Sequence, residues 1–130
     1  MIVLDASSVL ELLLRTAAAD SIEERVLGSG ETLHAPHLLD VEVAQVLRRY
    51  AARGEISSAR GRRAIEVLTL FPVTRYPHEP LLPRIWALRA NLTAFDAAYV
   101  ALAEGLGARL LTRDEKLANA PAARGVTELI

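Results

Sequence analysis

Met1-Ile2-Val3-Leu4-Asp5-Ala6-Ser7-Ser8-Val9-Leu10 opens the chain and decides how the rest is read. Ile2 to Leu4 is a β-rich run with no polar position, as expected of a strand central in a sheet. Ser7 or Ser8 can cap a helix start, and Val9, Leu10, Leu12, Leu13 and Leu14 then recur at helical spacing. A strand running into a helix, with Asp5 at the junction, is the opening unit of an α/β fold, whose ligands bind beyond the carboxyl ends of the strands.

The alternation continues downstream. A helix is predicted over 20–27, stopped by Gly28-Ser29-Gly30, then a strand over 32–35 closed by Pro36. Leu39, Val43, Val46, Leu47 and Tyr50 mark one face of a helix over 38–53 that ends at Gly54, and Ser57 or Ser58 caps the next, through Ile65, Leu68 and Leu70. These two form a helical hairpin with an arginine-rich bend. Pro72 ends it, residues 73–75 can pair as a strand, and Pro77 and Pro80 frame a loop before a helix over 81–90. Further helices are expected over 95–104, closed by Gly105, and over 114–118, with a buried strand at 109–112 and an edge strand at 126–130. The pattern predicts an α/β fold with a mainly parallel sheet of four to five strands and helices on both faces.

A length of 130 residues with 52% hydrophobic content suits one domain over 1–130 with a proper core. Fifteen basic against sixteen acidic residues leave a net charge of -1, which excludes a global basic field that would draw nucleic acid from afar. The positive charge is nearly all arginine, with Lys116 the only lysine, and Arg48, Arg49, Arg53, Arg60, Arg62 and Arg63 crowd one short stretch. Their planar forks suit phosphate, and with Arg113 they are the candidate phosphate contacts, although solvation of helix surfaces is the plainer explanation of any one of them. The absence of cysteine excludes disulfides, thiolate metal sites and cysteine nucleophiles. No apolar run approaches the ~18 residues of a membrane span, and no basic lead precedes Ile2, so a cytoplasmic protein is expected.

Four acids fall where such a sheet would aim them at one edge: Asp5 after the first strand, Glu42 on the apolar side of its helix, Asp96 in a helix start, and Asp114 after Leu110-Leu111-Thr112. Each has a plainer explanation alone. Asp5 can be a helix cap, Glu42 can pair with Arg89 or Arg109, Asp96 sits in the first turn of a helix capped by Thr93, and Thr112 with Glu115 can form a capping box beside Asp114. Jointly they suggest a site, because clustered carboxylates repel one another unless a cation neutralises them. Oxygen donors without cysteine, with histidine confined to His34, His37 and His78, select magnesium or manganese over zinc. Two such ions would suit phosphodiester hydrolysis, one lowering the pKa of a water and the other stabilising the departing oxygen. Ser7 and Thr112 would lie beside the acids, as orienting hydroxyls or as caps.

Several segments taken in order resemble the PIN-domain ribonucleases, and within them the VapC toxins of toxin-antitoxin pairs. They are Ile2-Val3-Leu4-Asp5-Ala6-Ser7-Ser8; Ala35-Pro36 with Glu42 and Val46-Leu47-Arg48-Arg49; Leu92 to Ala103 around Phe95-Asp96-Ala97-Ala98-Tyr99; and Leu111-Thr112-Arg113-Asp114-Glu115-Lys116-Leu117. The resemblance spans the chain. It implies a PIN-like three-layer α/β/α fold and a Mg2+- or Mn2+-dependent endoribonuclease. It further implies inhibition by a cognate VapB-like antitoxin, and a homodimer. By that likeness Asp5, Glu42, Asp96 and Asp114 are the acidic quartet that holds the metal, and Ser7 and Thr112 the hydroxyl positions near it. One departure is Gln45, where many relatives have asparagine.

Rival readings fare worse. A receiver domain needs paired acids after its first strand, but Ala6 follows Asp5; a haloacid-dehalogenase-like phosphatase needs a second acid where Ser7 stands. The alternative from another class is a catalytically silent PIN-like module that acts only by binding a partner protein.

Overall fold

The computed structural model describes residues 1–130. Its strands are β1 (Ile2–Leu4), β2 (Leu33–Pro36), β3 (Val73–Tyr76), β4 (Arg109–Thr112) and β5 (Thr127–Leu129). Its helices are α1 (Ala6–Leu14), α2 (Ala19–Leu27), α3 (Leu38–Ala52), α4 (Ser58–Leu70), α5 (Leu82–Ala87), α6 (Ala94–Leu106) and α7 (Glu115–Asn119), with a 3₁₀ turn at Glu79–Leu81. The strands make one sheet in the order β3-β2-β1-β4-β5, and every pairing is parallel.

Pleating divides the interior into two cores. Ile2, Leu4 and Leu111 face Val9, Ile22, Leu39, Leu47 and Leu68 of α1 to α4, whereas Val3 and Leu110 face Tyr99, Val100, Leu102 and Leu117 on the side of α5 to α7. This is the three-layer α/β/α arrangement, with β1 buried on both faces, which is why that strand carries no polar residue. From β1 the sheet grows one way through β2 and β3 and the other way through β4 and β5. The reversal lies between β1 and β4, where the diverging connections leave a crevice at the carboxyl edge. Asp5 ends one of these strands and Thr112-Arg113-Asp114 ends the other.

Three boundaries differ from expectation. Pro36 belongs to β2 instead of closing it, because β2 pairs with β1 only as far as His34, and beyond that point the absent N–H costs the β1 side nothing. The helix expected over 81–90 is shortened: Pro80 and Pro83 each remove an N–H, and the segment winds as a 3₁₀ turn followed by six α-helical residues. Most informative, α6 runs through Gly105 and stops at Gly107, whose φ of 61° is left-handed and whose N–H returns to the carbonyls of Ala103 and Glu104.

The two glycines therefore respond oppositely to one methyl group. A Cβ at either meets nothing within 4 Å, so only backbone preference decides. Gly105→Ala should stabilise by about 0.5–1 kcal/mol, since alanine favours a helix interior. Gly107→Ala should cost about 1 kcal/mol, since L-residues disfavour a left-handed backbone. Thermal melts of the two variants check the signs, and a gain from Gly107→Ala would refute this helix end.

Candidate active site

Asp5 is the anchor of the crevice. It is only 6% exposed and caps α1, its Oδ1 accepting from the Ser8 amide at 3.0 Å and from the Ser7 hydroxyl at 2.6 Å. Its Oδ2 accepts from the Thr112 hydroxyl at 2.5 Å. Both hydroxyls continue the chain: Ser7 Oγ accepts from the Arg113 amide at 2.9 Å and Thr112 Oγ1 from the Asp114 amide at 3.0 Å. The cap is thus Asp5 itself and not either serine, and Ser8 instead donates to the Leu111 carbonyl at 2.9 Å. Burial pushes the Asp5 carboxyl above its ordinary value, with the hydrogen bonds from Ser7, Thr112 and Ser8 pulling back.

Glu42 reaches the crevice from α3, half-buried. Its partner is neither of the arginines considered from sequence. Arg89 lies over the Trp86 ring at 4.5 Å, and Arg109 donates to the Gly125 and Thr127 carbonyls. Instead the Tyr99 hydroxyl donates to Glu42 Oε1 at 2.6 Å. Tyr99 was not identified from sequence as a contributor, although its spacing of three from Asp96 on one helix was the available signal. Gln45 accepts from Arg48 Nε at 3.0 Å and does not touch Glu42.

Asp96 sits in the first turn of α6, whose cap is the Thr93 hydroxyl accepting from the Asp96 amide at 3.2 Å, as expected. Asp114, exposed, caps α7 by accepting from the Lys116 and Leu117 amides; the expected box between Thr112 and Glu115 does not form, because Thr112 is engaged with Asp5. The acids share one field. Desolvation first, then the charges of Asp114 and Asp5, raise the Asp96 carboxyl, with Thr93 and Lys116 opposing. Glu42 is raised by burial and by Asp96 and Asp5, against the pull of Tyr99.

The arginines do not gather there as a group. Arg49 shares a groove with Glu42, Ala6 and Phe95, while Arg48 and Arg62 line a second groove between α3 and α4. Arg53 lies 3.9 Å from Glu55, Arg60 donates to the Leu14 carbonyl at the end of α1 farthest from Asp5, and Arg63 is exposed. Arg113 bonds the Ile130 carbonyl through its side chain while its amide holds Ser7.

The crevice fits a hard divalent cation. Its donors are all carboxylate or hydroxyl oxygens, and none of the eight ion pairs in the molecule uses Asp5, Glu42, Asp96 or Asp114. Their charge is left uncancelled by any cationic side chain in contact. No three of these acids close on a common point as ligands of one ion.

The family model described as the PIN domain matches residues 2–123. Ribonuclease VapC9 of Mycobacterium tuberculosis is 49% identical over 119 residues, covering 92% of this chain and 90% of its own. Ribonuclease VapC12 of the same species is 42% identical over 130 residues, covering 100% and 99%. Among solved structures, VapBC2 from Rickettsia felis, bound to a DNA fragment from its promoter, superposes with a TM-score of 0.69 at 12% identity, covering 99% of this chain and 98% of that one.

Because its carboxyl is raised in the fold, ionisation of Asp96 costs stability: the folded state gains most below the unfolded value near 3.8, and the gain is lost as pH rises through the folded value. Asp96→Asn should therefore melt higher than the parent at pH 7 without divalent ions, and the advantage should vanish well below pH 3.8. Melting curves at the two pH values read this directly, and an equal or lower melting temperature at pH 7 would contradict the repulsion.

Proposed function

The chain belongs to the PIN-domain family, in its VapC ribonuclease branch, and from that premise we propose that it is an endoribonuclease toxin hydrolysing RNA phosphodiester bonds. Asp5, Glu42, Asp96 and Asp114 would hold Mg2+ or Mn2+. The observation that carries the reading is the placement of Asp5, Glu42, Asp96 and Asp114 about the point where the sheet reverses, with none of the four held in an ion pair. Uncompensated carboxylates lower stability, and a site that binds a cation returns that cost.

A bound divalent cation would supply Lewis acidity toward the phosphate and a lowered pKa for attacking water. The protein's part is positioning. Asp5 is immobilised by three donors, two on Oδ1 and one on Oδ2, which leaves one lone-pair site on Oδ2 for a cation. Ser7 and Thr112 hold Asp5 and stand beside the phosphate-binding space. Arg49, in the groove beside Glu42, is the best placed of the arginines to take an RNA phosphate.

Inhibition by a VapB-like antitoxin follows from the same charge. A basic peptide side chain laid among the four carboxylates would compete with the cation for them. A homodimer acting on RNA in the cytoplasm completes the proposal.

Purified protein freed of its partner should cleave RNA with Mg2+ or Mn2+ and stop with EDTA. Asp96→Asn should lower the rate at least about 100-fold without unfolding the chain. Intact protein that binds antitoxin but never cleaves RNA would indicate a silent binding module instead. Arg49→Ala should raise KM and lower the salt slope of RNA binding by about 1, and an unchanged slope would remove Arg49 from the RNA path.

A further inference from the structure

Glu42 presents an unusual burial problem. It is a half-buried carboxylate, repelled by Asp5 and Asp96, and it makes one hydrogen bond in the whole structure, from a phenol 57 residues away. The common way to bury such an acid is a basic partner. Here the chain has fourteen arginines and uses none of them on Glu42.

The phenol's own setting is rigid. Tyr99 is 2% exposed and sits within the core formed by Val3, Val100, Leu102, Leu110 and Leu117, so neither of its side-chain torsions is free to turn. It lies three residues after Asp96 on α6, so one helix face delivers both an acid of the site and the donor that holds another acid. The O···O separation of 2.6 Å is the short distance of a hydroxyl donating to a charged carboxylate. A neutral donor differs from an arginine in one respect that matters. It fixes a carboxylate in place without cancelling its charge, leaving Oε2 as a full-strength ligand.

We propose that Tyr99 is a positioning residue for the cation site: its hydroxyl holds Glu42 Oε1 so that Oε2 is presented toward Asp5 and Asp96. This rests on the cation-dependent reading above. A glutamate carries three side-chain torsions, and without the phenol it would leave the half-buried crevice for solvent, away from two like charges. The carboxylate-on-phenol arrangement thus opposes a repulsion that the site itself creates.

The test is Mn2+ binding by calorimetry, with a double-mutant cycle. Tyr99→Phe keeps the ring and removes only the hydroxyl, and should weaken Mn2+ binding about tenfold. In a Glu42→Gln background the same change should alter Mn2+ affinity less than twofold, because the oriented ligand is already gone. Unchanged affinity in Tyr99→Phe, or an equal loss in both backgrounds, overturns the proposal. Should Tyr99→Phe fail to fold, a crystal structure of the Mn2+-loaded parent decides. Glu42 ligating the ion while still bonded to Tyr99 supports the assignment, and Glu42 turned away from the phenol overturns it. Failure of the parent to bind Mn2+ at all would instead strike the nuclease reading on which the proposal stands.

Discussion

One buried carboxylate ties together everything at the carboxyl edge. Asp5 closes the strand-helix junction of β1 and α1 by capping the helix, and through Thr112 it closes the junction of β4 and α7 as well. Ser7 and Thr112 pass the connection on to the amides of Arg113 and Asp114. These are the two strands between which the sheet reverses direction, so the network fixes the one place in the fold where a crevice must open. Burying a charge so deeply is tolerable only because each oxygen of Asp5 accepts at least one hydrogen bond.

The donors to the acids are neutral: hydroxyls of Ser7, Thr112 and Tyr99, and backbone amides. The ion pairs lie elsewhere, as in Arg25 with Glu31 and Glu128, Arg75 with Asp40, and Arg84 with Glu104. This separation explains how a chain of net charge -1 builds a strongly negative pocket. Neutral hydrogen bonds hold the acids without discharging them, and the repulsion that remains is what a bound cation would relieve.

Much of this was legible in the sequence, for identifiable reasons. The three-layer fold followed from apolar runs too short for anything but strands and from the caps between them, and the four acids stood out because each broke an apolar pattern or began a helix. What escaped was set by distant neighbours. The capping role of Asp5 is readable locally, but its second partner, Thr112, more than a hundred residues away, is not. Tyr99 reads locally as one more core residue of an alanine-rich helix, and only the fold that carries its hydroxyl to Glu42, 57 residues away, reveals what it does. Gly105 looked like a helix end because glycine is common there, whereas the left-handed turn that ends α6 falls two residues later, at Gly107. The short α5 lost its expected length to Pro80 and Pro83, whose combined effect is harder to read than that of one proline.

The same charge separation constrains how RNA could approach. A polyanion meets no attraction at long range, and the bare crevice would repel its phosphates. Arg49 lies seven residues from Glu42 on α3, about 10 Å along the helix and close to one screening length at physiological salt. An arginine at that distance cannot offset four carboxylates, but it can hold a phosphate once a cation has neutralised them. Cation and RNA would then each favour the binding of the other, and by linkage the two couplings must be equal. An inhibitor that places a positive side chain among the acids would block the cation and, through it, the RNA.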